Sequence, residues 1–89
     1  MNNYERFLTR ITDDVFDRAY MEGLTWIGLA HKSGLSVNTV YNLGNRITRF
    51  PQLRTLYLLA QAVDMDIVAL RKEVRREAQK AQVQTAVNY

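Results

Sequence analysis

Apolar residues recur every three or four positions along most of the chain, a spacing that places them on one side of an α-helix. This spacing predicts a first helix over residues 3–22, with Asn3 as its N-cap and Gly23 just after its end. Its apolar stripe consists of Tyr4, Leu8, Ile11, Val15 and Ala19. A break near Ile11 is the alternative, because Thr12-Asp13-Asp14 could begin a second helix there.

Two short helices joined by a tight turn follow the first helix. Thr25 is expected to cap the first of them, over about Trp26–Ser33, and Ser36 the second, over about Val37–Leu43, because both hydroxyls can accept a backbone N–H one turn on. Gly34 can adopt the positive φ that a sharp helix exit needs. This pattern is typical of a helix-turn-helix, with an ordinary αα-hairpin in a small bundle as the alternative.

The rest of the chain predicts two further helices. A fourth helix over about Leu53–Val63 carries the broad apolar face of a central core helix. Asp66 can cap a fifth helix that runs from Ile67 to about Gln82. We therefore predict an all-α fold in which residues 1–89 form a single domain of five helices, with an extended C-terminal helix over about residues 67–82.

Composition narrows the possible functions. The hydrophobic fraction of 47% and charged fraction of 24% are typical of a globular protein. The absence of cysteine excludes disulfides and thiolate metal sites, and it fits a reducing compartment. No apolar run approaches membrane-spanning length. We therefore expect a cytoplasmic protein. The sequence has one histidine, no glycine-rich phosphate loop and no paired acid cluster near a pocket-forming segment. An enzyme is therefore the weakest class, and no cofactor, metal or small-molecule ligand is expected.

The net charge of +3 is modest, but the charges are unevenly distributed. Between Gly23 and Val63 the sequence has no Asp or Glu. The basic residues of that segment are Lys32, Arg46, Arg49 and Arg54. A polyanionic partner would explain this, because carboxylates facing phosphates would be repelled. The alternative is a neutral core segment with sparse charges.

Two separate stretches match one known family at nearly its spacing. The first comprises Leu29, Ala30, Gly34, Leu35, Ser36, Val40 and Leu43 in the two short helices. The second comprises residues 51–56 and 59–63 at the fourth helix. On these residues, the segment from Gly23 to Ile67, about half the chain, resembles the Cro and phage-repressor (lambda-repressor-like) helix-turn-helix family. One departure is Trp26, which stands where the family often has a glutamine that contacts phosphate.

The resemblance implies a five-helix lambda-repressor-like domain with its helix-turn-helix over residues 25–45, and a phage or bacterial repressor that reads double-stranded DNA through the major groove. By resemblance, Val37, Asn38 and Asn42 occupy base-contacting positions. The chemistry agrees, because asparagine can pair with adenine and valine can pack on a thymine methyl. Further base-contact candidates are Ser36, Thr39 and Tyr41. The expected phosphate contacts are Thr25, Trp26, Lys32, Asn45, Arg46 and Arg49.

The fifth helix extends further than the resemblance requires. Its residues beyond easy reach of so small a core predict a homodimer on a palindromic operator. The expected interface residues are Leu70, Val74, Ala78 and Ala81. The competing account is a monomer whose basic tail helix follows DNA phosphates, given Arg71, Lys72, Arg75, Arg76 and Lys80. A second functional class, an antitoxin-like helical interaction module without specific DNA binding, stays open because residues 37–45 contain no Arg or Lys.

Overall fold

The computed structural model describes residues 2–87, with side chains described through residue 82. Over this range the chain forms five α-helices and no strand, which confirms the all-α prediction. The helices are α1 (Asn3–Met21), α2 (Trp26–Ser33), α3 (Val37–Gly44), α4 (Leu53–Ala62) and α5 (Ile67–Val87).

Helix α1 is continuous, so the alternative of a break near Ile11 is wrong. The Thr12 hydroxyl instead donates to the Leu8 carbonyl at 2.9 Å, a bond that satisfies it inside the helix. The predicted N-cap, Asn3, is also wrong by one residue. The Asn2 side chain accepts the Glu5 N–H at 2.8 Å and the Glu5 carboxylate accepts the Asn2 N–H at 3.1 Å. This reciprocal pair is a capping box, which satisfies two backbone donors; Asn2 is thus the N-cap, and Asn3 is the first residue of the helix.

The caps predicted for α2 and α3 are confirmed. The Thr25 hydroxyl accepts the Gly28 N–H at 3.0 Å, and the Ser36 hydroxyl accepts the Thr39 N–H at 3.1 Å. Gly34 ends α2 with φ +76°, the left-handed conformation that glycine adopts without steric cost. The two helices are therefore joined by a three-residue turn whose geometry is set by local chemistry.

Helices α4 and α5 differ from the prediction only at their ends. Helix α4 ends at Ala62, one residue earlier than predicted, and α5 continues beyond Gln82 to Val87. The Asp66 carboxylate accepts the Ala69 N–H at 3.1 Å, so the predicted cap of α5 is confirmed. Asp64 precedes it with φ +58° and takes the left-handed position that reverses the chain between the two helices.

The core forms around α4. Helix α2 packs against both α3 and α4, while α1 packs against α4 and α5. The largest fully buried side chains are Leu29, Leu56, Leu59, Val15, Val40 and Val63. Burying a leucine or valine side chain stabilises a fold by about 1.5–3 kcal/mol. These side chains come from the first four helices and the residue after α4, so the motif of α2 and α3 is held by the rest of the domain rather than by its own contacts alone.

The premise of the dimer prediction, that Val74 lies beyond reach of the core, is wrong. Helix α1 is 19 residues long, about 28 Å, and packs against α5 far enough along to bury Val74. Leu70 and Val74 are each only 4% exposed within a single copy of the chain. Ala78 and Ala81 are half-buried. The homodimer stays a prediction, but half of its expected interface is already covered by the chain's own core.

The burial of Val74 gives the first prediction. We expect Val74→Ala to lower the free energy of unfolding by about 1–3 kcal/mol, because it removes buried methyl groups and leaves a cavity. Val68→Ala is the matched control, since it makes the same substitution on the same helix at a side chain that is 66% exposed. The control should change stability by less than about 0.5 kcal/mol. Chemical denaturation followed by far-ultraviolet circular dichroism measures both.

The same experiment at several protein concentrations separates core burial from dimer contact. The stability lost on truncating a residue that is buried within one chain is the same at every protein concentration, whereas the loss for a dimer-interface residue changes with concentration, because it weakens association. Equal stability of the Val74→Ala and Val68→Ala variants would contradict the burial of Val74 between α1 and α5.

Candidate nucleic-acid interface

Helix α3 presents one buried face and one open face. Val40 is fully buried and Leu43 is 4% exposed, so these two side chains anchor the helix on the core. Val37 is 40% exposed, Tyr41 is 39% exposed, and Asn38 is exposed between them. Because residues i, i+1 and i+4 share one side of a helix, these three side chains form a single outward surface.

The predicted base-contact residues divide into two groups. The side chains of Asn38 and Asn42 make no hydrogen bond to any residue between 2 and 82, so their amide groups are free to bind a partner; Asn42 is half-buried and Asn38 exposed. Ser36 and Thr39 instead bond to each other, with their hydroxyl oxygens 2.8 Å apart, as part of the cap of α3. Asn38 and Asn42 therefore keep unbonded amide groups within residues 2–82, whereas the hydroxyls of Ser36 and Thr39 are bonded within the cap.

Trp26, a predicted phosphate contact, lies half-buried at the start of α2 in a cluster of three aromatic rings. Its ring meets Phe16 edge-on, with centroids 5.7 Å apart, and Tyr41 edge-on at 5.1 Å. Edge-to-face pairs of this kind contribute about 0.5–1.5 kcal/mol each beyond the area that they bury. We call Phe16, Trp26 and Tyr41 the aromatic cluster; it ties α1, α2 and α3 together beside the open face of α3.

Gly44 lies against the indole ring of Trp26. A Cβ at Gly44 would lie 2.6–2.8 Å from three ring atoms of Trp26, closer than carbon atoms can approach. Gly44 is the last residue of α3, one residue beyond the predicted end at Leu43, and its missing side chain makes room for the indole. The sequence around Gly44 gives no sign of a contact with Trp26, so only the tertiary structure shows why this position must lack a side chain.

Most of the other predicted phosphate contacts are exposed. Thr25, Lys32, Asn45 and Arg49 all lie on the surface. The Thr25 hydroxyl is already used as the cap of α2, so a phosphate there would meet backbone N–H groups rather than a free hydroxyl.

Arg46 has a partner that the sequence did not indicate. Its Nη2 lies 3.2 Å from Oδ1 and 3.4 Å from Oδ2 of Asp13 on α1. The two side chains are 68% and 48% exposed, so this ion pair is a surface pair worth about 0–1 kcal/mol. Residues 23–63 contain no Asp or Glu. The fold nevertheless brings the carboxylate of Asp13, 33 positions before Arg46, into contact with this segment.

The backbone holds Arg46 in place for this contact. Arg46 has φ +59°, a left-handed conformation that is strained for a side chain other than glycine. The carbonyl of Asn42 accepts the N–H groups of Ile47 at 2.8 Å and Thr48 at 3.0 Å. These bonds close the end of α3 and direct the following loop, so the position of Arg46 is fixed rather than variable.

Other kinds of site are not evident in the part of the chain that the structure describes. It contains no group of three or more His, Cys, Asp or Glu residues arranged to hold a metal ion. Within the same residues, none of the helices is both long and apolar enough to cross a membrane. No family model, no curated protein and no solved structure matches this chain.

The fit of Trp26 against Gly44 gives the second prediction. Gly44→Ala should lower the free energy of unfolding by about 1–3 kcal/mol, because the rigid indole cannot move aside without disturbing Phe16 and Tyr41. Thermal unfolding of the variant and the wild type measures the difference.

The control is the same substitution in a Trp26→Leu background. With the indole removed, Gly44→Ala should become neutral, or stabilising by up to about 1 kcal/mol, since alanine is the better helix former. An equal loss of stability in both backgrounds would show that the indole is not the obstacle.

Proposed function

We propose that this protein is a sequence-specific double-stranded DNA-binding regulator, a lambda-repressor-like helix-turn-helix repressor of phage or bacterial type, with α3 as its recognition helix. The observation that carries the proposal is the division of α3 into an anchored face and an open face. Val40 and Leu43 hold the helix on the core, while Val37 and Asn38 face outward. A helix supported in this way fits the major groove, which admits an α-helix and displays a distinct pattern for each base pair.

The surroundings of α3 support a nucleic-acid partner. Lys32, Arg46 and Arg49 are exposed on or near the two helices, and residues 23–63 carry no carboxylate. Cations beside a groove-reading helix would neutralise phosphates and position the helix, while the uncharged asparagines distinguish bases. In this proposal the protein acts in the cytoplasm, and two copies bind a palindromic operator.

The second candidate function, a helical protein-interaction module, has one specific observation in its favour. Ile47 is 71% exposed and Phe50 is 38% exposed, and both lie in the loop after α3. Exposed apolar side chains of this kind are common at protein interfaces. The salt dependence of binding separates the candidates, because phosphate contacts lose affinity steeply with added salt.

The third prediction concerns base readout. Selection from random duplexes should enrich a palindromic sequence with A·T pairs at the positions that α3 contacts. Asn38→Ala and Asn42→Ala should each relax the preference at one position and cost about 1–3 kcal/mol of binding free energy. Asn3→Ala is the matched control, because Asn3 is exposed on α1 and is not the N-cap. No enrichment would favour the interaction module, and an unchanged consensus would remove the asparagine in question from the readout.

The fourth prediction concerns the ion pair. Asp13→Asn should raise affinity for all duplexes by up to about fivefold, because a surface pair worth 0–1 kcal/mol no longer competes with phosphate for Arg46. Asp14→Asn is the matched control: it changes the net charge equally on the same helix, at an exposed residue outside the pair. Equal gains from the two variants would indicate a general charge effect and argue against a phosphate contact by Arg46.

A further inference from the structure

Two adjoining depressions lie on the surface between α4 and α5. One is lined by Arg54, Tyr57 and Arg71 among others, and the second by Tyr4, Tyr57, Arg71 and Arg75 among others. The two depressions adjoin at Tyr57 and Arg71, which line both, and together we call them the α4–α5 groove. None of the residues that line either depression is an Asp or a Glu.

The cations of the α4–α5 groove are free to bind a ligand. Between residues 2 and 82, none of Arg54, Arg71 and Arg75 forms a salt bridge. The guanidinium carbon of Arg71 lies 5.2 Å from the centroid of the Tyr57 ring, a cation–π contact. Stacking on a ring restrains a guanidinium while its N–H donors stay available at the edge, so Arg71 is positioned in advance for an anion.

We propose that the α4–α5 groove is a second phosphate-binding surface, which contacts the phosphodiester backbone of the DNA that flanks the site read by α3. This inference rests on the proposed function and assigns α5 to DNA contact, the account that competes with dimerisation through α5, because Val74 and Ala78 of the expected dimer interface line the same groove. Arginine suits the ligand because its planar fork matches two phosphate oxygens.

The tyrosines of the groove add phenolic O–H groups, which can donate hydrogen bonds. Burial, and secondarily the neighbouring Tyr57, raise the pKa of the Tyr4 phenol.

Position along the chain favours DNA as the occupant. Arg54 lies in the first turn of α4, five residues after Arg49, so the groove begins close to where the expected phosphate contacts after α3 end. The N-cap of α4, Gln52, makes no side-chain capping bond, which leaves the positive end of that helix available to an anion. Arg54 therefore links the groove, along the chain, to the loop that carries Arg46 and Arg49.

A second cationic surface, between α1 and α5, is less suited to this role. Arg6, Arg10 and Lys80 line it, but so does Glu77, whose carboxylate lies 3.5 Å from the Lys80 amine. A carboxylate among the cations offsets their charge and would repel a phosphate. The absence of such an acid in the lining of the α4–α5 groove is what distinguishes it.

The test compares two double variants of α5. Arg71→Gln with Arg75→Gln removes both α5 cations that line the groove, while Lys72→Gln with Arg76→Gln removes the same charge from exposed residues of the same helix outside it. The probes are the selected duplex trimmed to its consensus and the same duplex extended by about one helical turn, roughly ten base pairs, at each end. Fluorescence anisotropy across a salt series gives the affinity and its salt slope.

On the extended duplex, we expect the groove variant to lose about two units of salt slope, since each phosphate contact contributes about 0.9 units. Its affinity should fall about tenfold or more at moderate salt, and the control variant should change far less. On the trimmed duplex, the groove variant should match the wild type. Arg71→Lys keeps the charge but not the fork, so it should show an intermediate loss while circular dichroism confirms that all variants are folded.

Each other outcome overturns a defined claim. Equal losses in the two double variants would show that only general charge matters, and equal losses on both duplexes would place the contact within the site that α3 reads. If the wild type and the Arg71→Gln, Arg75→Gln variant bound the selected duplexes identically, the groove would not be a phosphate-binding surface, and the proposed function would stand. A wild type that binds no duplex at any salt concentration would overturn both, and addition of an acidic peptide would then test the groove as a protein-binding surface.

Discussion

The burial of leucine side chains on α4 against the other helices is the interaction on which this structure depends. Leu56 and Leu59 are fully buried, and they come from a helix that contacts α1, α2 and α5. A chain of 89 residues buries only a limited apolar surface. One central helix, α4, therefore provides the apolar side chains against which α1, α2 and α5 pack. The orientation of α2, and through it the position of α3, follows from this shared core rather than from the turn that joins them.

The open face of α3 is a consequence of that arrangement. Val40 is buried in the core. The ring of Trp26 contacts the same helix at Tyr41 and fits against Gly44, which has no side chain. A surface that reads bases must be fixed to within a fraction of an ångström, which requires support from packed neighbours. The rigid indole and the missing Cβ supply that support next to the proposed readout residues.

Charge is distributed by the fold as much as by the sequence. Residues 23–63 contain no Asp or Glu, but Asp13 approaches this segment from α1 and pairs with Arg46. On α5, the basic residues divide by helical position, so that Arg71 and Arg75 share a groove with Tyr57 while Lys80 pairs with Glu77. Among the described residues, two cations, Arg46 and Lys80, are thus partly neutralised by carboxylates, while Arg71 and Arg75 form no salt bridge.

The sequence alone determined features that depend on neighbours within one or two helical turns. The five helices, the hydroxyl caps of Thr25 and Ser36, the carboxylate cap of Asp66 and the left-handed Gly34 all follow from bonds between residues three or four positions apart. The tertiary structure alone decided the burial of Val74, the pairing of Arg46 with Asp13 and the space that Gly44 leaves for Trp26. Each of these joins residues that are distant along the chain, and periodicity within a helix identifies an apolar face without identifying the helix that covers it.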